Sequence, residues 1–407
     1  MTAAPTLHVV ALATLFPDAS RPNLAIFVER SLAALARQPH VTVTVVAPIG
    51  LPPWPLSLHP RYTSLRALPE QEEWRGLTVY RPRFRLIPRY ARPNAAAVAR
   101  AAAPIVARLA AAGRADVLQA QFFWPDAPAA QQISRLLDLP YSVKARGGDI
   151  SYWAQRRDIA PAILAAADGA DAILSVARSL RDDMVALGMD GDKIAVHYTG
   201  LDAGRFHVQD QAQARSTWHL PPDVPIMLSV GALTERKGQA LVIAAMRDLP
   251  PDTIYVMAGT GDATASLRAL AEHHGVADRV RQLGIVANDR LPSLYAAADL
   301  MVLPSASEGL ANAWVEALAC GTPLVLCDIA PAHELIDAPD AGRIAAREPS
   351  AIATAVRAVL ANPPDRAALS ARTQARFDWD RHGAELAAHL QGVCVSKCLM
   401  GGSGGGT

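Results

Sequence analysis

Ser305-Ala306-Ser307-Glu308-Gly309-Leu310-Ala311-Asn312-Ala313-Trp314-Val315-Glu316-Ala317-Leu318-Ala319-Cys320-Gly321-Thr322-Pro323 is the stretch that decides how this chain is read. It follows an apolar run, Leu300 to Leu303, with the character of a buried strand ending at Pro304. From about Ala311 its apolar residues take helical spacing, and Gly321-Thr322-Pro323 stops them. Strand, polar loop and helix in that order make an anion site, because the first N–H groups of a helix have no partner within it. The N–H groups of Gly309, Leu310, Ala311 and Asn312 therefore suit a diphosphate. Glu316 is the single charged residue between Gly309 and Cys327. An unpaired carboxylate in an apolar helix costs on the order of several kcal/mol to bury, so it demands a partner. Glu308 in the loop and Glu316 in the helix are placed to accept hydrogen bonds from sugar hydroxyls.

Outward from this stretch, strand patterns near 224–230, 253–258, 280–286, 299–304 and 323–327 alternate with helical patterns at 238–247, 263–274, 290–297 and 311–320. The N-terminal part repeats the arrangement, with strands near 7–13, 41–47, 116–121, 140–145, 171–176 and 194–198. Its helical patterns fall at 25–37, 94–112, 127–137, 158–168 and 177–187. Alternating elements with apolar strands predict an α/β protein of two doubly wound, Rossmann-like domains, 1–199 and 203–376, hinged near 199–206. Ligands of such sheets lie off the carboxyl ends of the strands, so the two domains are expected to face each other across a cleft. A last helical pattern, Asp380 to His389, comes after the second sheet is complete, and 377–393 are expected to cross back to the first domain. Residues 394–407, ending Gly401-Gly402-Ser403-Gly404-Gly405-Gly406-Thr407, read as a linker-like tail.

The composition suits a folded chain: 407 residues, 51% hydrophobic and 19% charged. Its 39 basic and 38 acidic residues leave a net charge of +1, so no global field recruits nucleic acid. The apolar opening, Thr6 to Ala13, has no basic stretch before it and is too short to span a bilayer, so it reads as the first strand of a cytoplasmic protein. Four cysteines, Cys320, Cys327, Cys394 and Cys398, are too few and scattered for a disulfide framework and lack histidine partners for zinc.

Two further segments belong with the first. Ser229-Val230-Gly231-Ala232-Leu233-Thr234-Glu235-Arg236-Lys237-Gly238 ends one strand and opens a helix, bringing two cations to a strand end. Arg236 and Lys237 there can neutralise the charge of a phosphate-bearing ligand, the task a metal ion performs elsewhere, so no metal or other cofactor is expected. Gly259 and Gly261, in Ala258-Gly259-Thr260-Gly261-Asp262, let the backbone approach a ligand. Asp190-Gly191-Asp192 and Asp378-Trp379-Asp380 match a metal-binding spacing but read as turn or capping residues.

The run Ser-Glu-Gly-x6-Glu-Ala-x-Ala-x-Gly-x-Pro over 307–323 resembles the E-x7-E signature of the retaining family-4 glycosyltransferases, which have the GT-B fold. The resemblance implies that Glu308 contacts the donor sugar and Glu316 the ribose, and that Arg236 and Lys237 contact the diphosphate. It further implies that the segment Gln282 to Val286, with Ile285, holds the base through backbone groups. The implied activity is transfer of a hexose-like sugar from a nucleoside-diphosphate sugar to a glycan or lipid-linked acceptor, with retention at the anomeric carbon. Two other readings keep the donor site: a phosphorylase or nucleotide-sugar 2-epimerase of this fold, and a non-catalytic nucleotide-sugar-binding protein.

The N-terminal half departs from that family's pattern. Lys144-Ala145-Arg146-Gly147-Gly148-Asp149-Ile150 stands where the family has His-Gly-x-Asp, and the loop Pro17 to Glu29 lacks the family's glycine pair. Arginine donates but does not accept a proton, so Arg146 and Asp149 are read as acting on the reacting face by charge and hydrogen bonding. Gln121 and Asp126, flanking Phe122-Phe123-Trp124-Pro125, are read as acceptor-pocket residues. Arg81-Pro82-Arg83-Phe84-Arg85-Leu86-Ile87-Pro88-Arg89-Tyr90-Ala91-Arg92 mixes five arginines with apolar residues. That mixture suits peripheral contact with an anionic membrane at its inner face, or with a lipid diphosphate.

Overall fold

The computed structural model describes residues 6–87 and 91–401, the side chains of 398–401 excepted. Its strands are β1 Leu7–Leu12, β2 Val41–Val46, β3 Ile49–Leu51, β4 Gln71–Trp74, β5 Leu77–Tyr80, β6 Arg83–Arg85, β7 Val117–Ala120, β8 Tyr141–Ala145, β9 Ala172–Ser175 and β10 Ile194–Val196. They continue with β11 Ile226–Val230, β12 Ile254–Ala258, β13 Val280–Gly284, β14 Leu300–Leu303, β15 Leu324–Cys327 and β16 Gly342–Ala345. The chain forms two compact units, which divide between Gly200 and Leu201 and again between Asp378 and Trp379.

The first unit holds an eight-stranded sheet in the order β10-β9-β8-β7-β1-β2-β5-β4. Seven of its strands run parallel, and only the polar edge strand β4 is antiparallel, to β5. β7 and β8 are buried along their whole length, as strands covered on both faces must be, even at Gln119, Ser142 and Lys144. From β1 the order runs one way through β2 and the other way through β7, which puts the topological switch point, where open α/β sheets take ligands, between β1 and β7. β3 and β6 form a separate two-stranded parallel ribbon.

The second unit is an all-parallel sheet, β13-β12-β11-β14-β15-β16, with β14 and β15 wholly buried. Its switch point lies between β11 and β14. The loops that leave those two strands are the two cation- and carboxylate-bearing segments singled out in the sequence. Strands β3, β4, β6 and β16 carry no strong apolar alternation, β4 being Gln-Glu-Glu-Trp and β16 Gly-Arg-Ile-Ala, and β5, Leu-Thr-Val-Tyr, alternates over only four residues. Their pairing comes from the sheets they join.

The last helix, Trp379–Gly401, belongs to the first unit. Leu386, Ala387, Leu390 and Val393 recur at helical spacing and enter the core formed with Val28, Leu32 and Leu35 of the helix Ile26–Ala36. Gly383 lets the two helices meet closely, because a side chain there would strike the Ala34 carbonyl. The helix outlasts the expected Asp380–His389, and the expected tail from 394 is corrected: the chain is helical to Gly401. Lys397 donates to the Asp138 carbonyl at 2.8 Å and pairs with its carboxylate, which holds that last stretch down. Residues 402–407 lie outside the described residues. No helix among the described residues is long and apolar enough to cross a membrane.

A buried polar cluster fastens this helix to the first sheet. Lys144 Nζ lies 2.8 Å from His197 Nδ1, His197 Nε2 3.1 Å from the His382 carbonyl, His382 Nδ1 2.8 Å from the Tyr198 carbonyl, and Ser31 Oγ 2.7 Å from His382 Nε2. A carbonyl only accepts, so His197 Nε2 and His382 Nδ1 carry protons, which leaves His197 Nδ1 to accept from Lys144 and His382 Nε2 to accept from Ser31. Both imidazoles are thereby held neutral. Burial, with Lys144 next, pulls the pKa of His197 down to about 2 and that of His382 well below its usual value.

Candidate active site

In the second unit the turn after β11 and the loop after β14 are pinned to each other by their backbones. Ala306 N–H donates to the Arg236 carbonyl at 2.8 Å. Gly238 takes the left-handed conformation, φ 74°, and a side chain there would run into the Pro304 carbonyl, so only glycine lets the turn lie against the end of β14. Arg347 fixes the pair from outside, donating at 3.2 Å to the carbonyls of Pro304 and Glu235.

This backbone frame brings the side chains together. Glu308 accepts from the Lys237 ammonium and forms an ion pair with Arg236 at 3.2 Å, while Arg236 also donates to the Ser307 carbonyl. Glu308 and Lys237 are shielded, and Arg236 is about half exposed. Two cations on one carboxylate leave one net positive charge at the ends of β11 and β14. The helix Asn312–Ala319 begins at the same loop, with Ala311 in the capping position and no side-chain cap. Its first N–H groups therefore add positive potential to that of the cations. Gly309, Leu310 and Ala311 are half-buried and Asn312 is exposed there.

Gly231 directly follows β11, and Gly259, φ 143°, packs on it so closely that a side chain would meet the Gly231 carbonyl. Gly261 lies against the Leu233 carbonyl in the same way. Ile285, just past β13, is 83% exposed, so this segment offers its backbone rather than a packed side chain.

Glu316 has the partner its setting demands. The phenol of Tyr295, on the helix Leu291–Ala297, donates to Glu316 Oε2 at 3.0 Å. Burial, and then the neighbouring carboxylate, push the Tyr295 phenol well above its ordinary pKa, so it stays a donor. Sequence reasoning missed Tyr295 and Arg347, because neither lies within a motif.

The first unit gathers the other candidates at its own switch point. Arg146, at the end of β8, donates to the Gln121 carbonyl at 3.0 Å and to Gln121 Oε1 at 2.7 Å, and its guanidinium lies over the rings of Phe27 and Phe122. Gln121 in turn donates to Gln119 Oε1 at 2.9 Å. Burial brings the Arg146 pKa down to about 10, which leaves it charged at neutral pH. Asp149 accepts backbone N–H bonds from Phe123, Arg146 and Gly147 at 2.9–3.0 Å, so its carboxylate shapes the loop. Burial raises its pKa against those bonds.

Asp126 accepts from Thr14 Oγ1 at 2.7 Å and from Thr14 N–H, joining the loops after β1 and β7. Burial pushes its carboxyl up to about 7. Gln121 and Asp126 are fully buried, which corrects the expectation that they line a pocket directly. They stand behind Arg146 and Thr14, the half-buried residues they hold. Thr14 carried no signal in the sequence.

The basic run at 81–92 is also changed by its surroundings. Arg81 is buried against Glu72 and the Pro17 carbonyl, and Arg83 donates to the carbonyls of Arg81 and Leu68. Arg85 and Arg92 are exposed. Pro88, Arg89 and Tyr90 lie outside the described residues.

Comparison with known proteins bears on the fold and the family. The model "Glycosyl transferases group 1" matches residues 210–376, and "Glycosyl transferase 4-like domain" matches residues 24–200. The chain is 34% identical over 231 residues to a D-inositol 3-phosphate glycosyltransferase of Xylanimonas cellulosilytica, an alignment spanning 53% of this chain and 55% of the relative. It is 25% identical over 404 residues, 96% of this chain and 99% of the relative, to TuaC of Bacillus subtilis, named for teichuronic acid biosynthesis. Among solved structures, sucrose-phosphate synthase from Thermosynechococcus elongatus matches with a TM-score of 0.77 at 21% identity, covering 96% of this chain and all of that one. HepE from Anabaena, solved in complex with UDP, matches at 0.74 with 17% identity, covering 95% of this chain and all of that one. With each half matched by its own model and the fold shared along the chain, the protein belongs to the nucleotide-sugar-dependent glycosyltransferases of the family-4 type, with the GT-B fold.

Proposed function

We propose that this protein moves a hexose-like sugar from a nucleoside-diphosphate sugar to a glycan or lipid-linked acceptor, with the second unit binding the donor and the first the acceptor. The observation that carries the reading is the Arg236–Lys237–Glu308 cluster beside the uncapped helix start at Asn312. Cations and N–H dipoles fixed in place stabilise a diphosphate as it departs, without reorganising at the moment of reaction. Glu308 orients the donor ring as well as Lys237, and Glu316, aimed by Tyr295, takes the ribose hydroxyls. HepE was solved with UDP, which makes UDP the first nucleotide to try.

Retention rests on the likeness to family-4 enzymes. The acceptor oxygen forms its bond to the anomeric carbon on the face from which the diphosphate leaves, the carbon–oxygen bond to the diphosphate breaks, and the acceptor proton passes to the departing phosphate oxygen. In the first unit, Arg146, held by Gln121, is the cation offered to the reacting face, with Asp149 fixing the loop that carries it. Among the described residues of the basic run, Arg85 and Arg92 are exposed and offer peripheral membrane contact.

The test is transfer from UDP-, GDP-, ADP- and dTDP-sugars to mixed acceptors by wild type, Lys237→Ala and Glu316→Gln. The reading expects turnover in the wild type and its loss in both folded variants. Wild-type turnover in both would end it.

A further inference from the structure

The first unit contains a second feature, at the side where β1 and β2 end. A cavity of about 210 Å³ opens between the loop after β1, the β3–β6 ribbon and the short helix Pro60–Arg66. Phe16, Tyr62, Phe84 and Leu86 give it an apolar wall. Three arginines border it, and two of them are already matched in charge: Arg21 by the buried Asp18 at 2.6 Å, and Arg81 by Glu72. Arg61 is exposed and has no ion pair among the described residues, so one uncompensated cation stands at the rim. Thr14, which Asp126 holds at the switch point, lines the same cavity and links it to the Arg146 cluster.

The segment between two of the lining elements has an unusual surface. Between β3 and the helix Pro60–Arg66, Trp54, Leu56 and Leu58 are exposed at 78%, 54% and 62%. Three large apolar side chains thus stand exposed within five residues, Leu56 and Leu58 on a single 3-10 turn, and exposed apolar surface of this size marks interaction sites. Arg61 and Arg66 follow at once on the helix, and Arg85 lies on the paired strand, all three exposed. Apolar side chains that can enter an acyl layer, beside cations that can meet its phosphates, are complementary to an anionic lipid surface.

We propose that this cavity takes the phosphate-bearing end of a lipid-linked acceptor, with Arg61 on the phosphate, Phe16, Tyr62, Phe84 and Leu86 on the first carbons of the chain, and the Trp54–Leu58 loop set into the bilayer that carries it. The inference rests on the transferase reading and narrows its acceptor to an anionic amphiphile. A soluble sugar phosphate would use the cation but not the apolar wall, and a neutral glycan neither.

Dodecyl phosphate below its micelle concentration is the probe, titrated by calorimetry beside inorganic phosphate, glucose 1-phosphate and dodecyl maltoside. The expected result is that dodecyl phosphate binds about tenfold or more tighter than each of the other three, a step of about 1.4 kcal/mol. Arg61→Gln should weaken it about fivefold or more while leaving the thermal shift given by UDP unchanged; the side chain is exposed, so the variant folds. Equal binding of glucose 1-phosphate and dodecyl phosphate overturns the lipid assignment, and unchanged binding by Arg61→Gln overturns the site. Dodecyl phosphate binding with no shift from any nucleotide would sink the transferase reading and leave this site standing.

Discussion

Lys237 and Glu308 form an ion pair in which both side chains are largely shielded, at 13% and 10% exposure, although the two residues come from loops 71 positions apart. The pair joins the two strands that flank the switch point of the second sheet. It sets the charge of the proposed donor site, since Arg236 shares the carboxylate.

Removing either end of the pair should therefore cost catalysis more than stability. Lys237→Ala and Glu308→Gln are each expected to lower turnover by about a hundredfold to a thousandfold, the range for loss of one fixed group that stabilises transition-state charge. Steady-state rates with a thermal melt of each variant check this. Loss of rate only in parallel with loss of fold would assign the pair to structure instead.

Tyr295 aims Glu316 and touches nothing that reacts. Tyr295→Phe removes one donor to a carboxylate, expected to cost stability about 1.5–3 kcal/mol. The Michaelis constant for the donor sugar should rise while the maximal rate holds. A fall in maximal rate with an unchanged Michaelis constant would contradict the positioning role.

Acidification pulls the first unit in two directions. His197, His382 and His389 have folded pKa values below the unfolded value near 6.5, so the unfolded chain binds more protons and stability falls as pH drops below about 6.5. For buried His197 this amounts to about 2 kcal/mol at pH 5. Asp126 has the opposite sign: its folded carboxyl, near 7, binds a proton that the unfolded one releases, so its contribution is present at low pH and is lost as pH rises through 7. Asp126→Asn removes the compensating group and keeps an acceptor for Thr14. Its melting temperature should fall more steeply than the wild type's between pH 7.5 and pH 5, and parallel curves would refute the assignment.

Arg146 reaches both the carbonyl and the side chain of Gln121, a two-point grip suited to a planar guanidinium. Arg146→Lys and Arg146→Ala should both raise the Michaelis constant for the acceptor and leave nucleotide binding untouched. A weaker nucleotide shift in either variant would move Arg146 out of the acceptor side.

Much of this was legible in the sequence because it is local. The run from Leu300 to Pro323 announced its strand, loop and helix through period and stop signals, and Arg236-Lys237-Gly238 through cations set beside a glycine. The demand that Glu316 have a partner was legible too, but Tyr295 as that partner was not: it sits 21 residues earlier on another helix, and no spacing links them. The same holds for the Lys144–His197–His382 cluster, whose members meet only because the last helix returns to the first sheet. Gln121 and Asp126 were visible as polar residues at a strand end, while their complete burial was a consequence of packing. The three-residue strands β3 and β6 gave no period to read, and they wall the cavity that the uncompensated Arg61 borders.

The central claim, that the loops after β11 and β14 bind a nucleoside diphosphate through Lys237 and Arg236, is tested most directly by thermal shift with UDP, GDP, ADP and dTDP. At a concentration about a hundred times its dissociation constant, the matching nucleotide adds about 2.7 kcal/mol to stability. A clear upward shift of the wild type with at least one of the four, abolished in the Arg236→Ala/Lys237→Ala double variant, is the predicted result. No shift with any of them, or the same shift in the double variant, would contradict it.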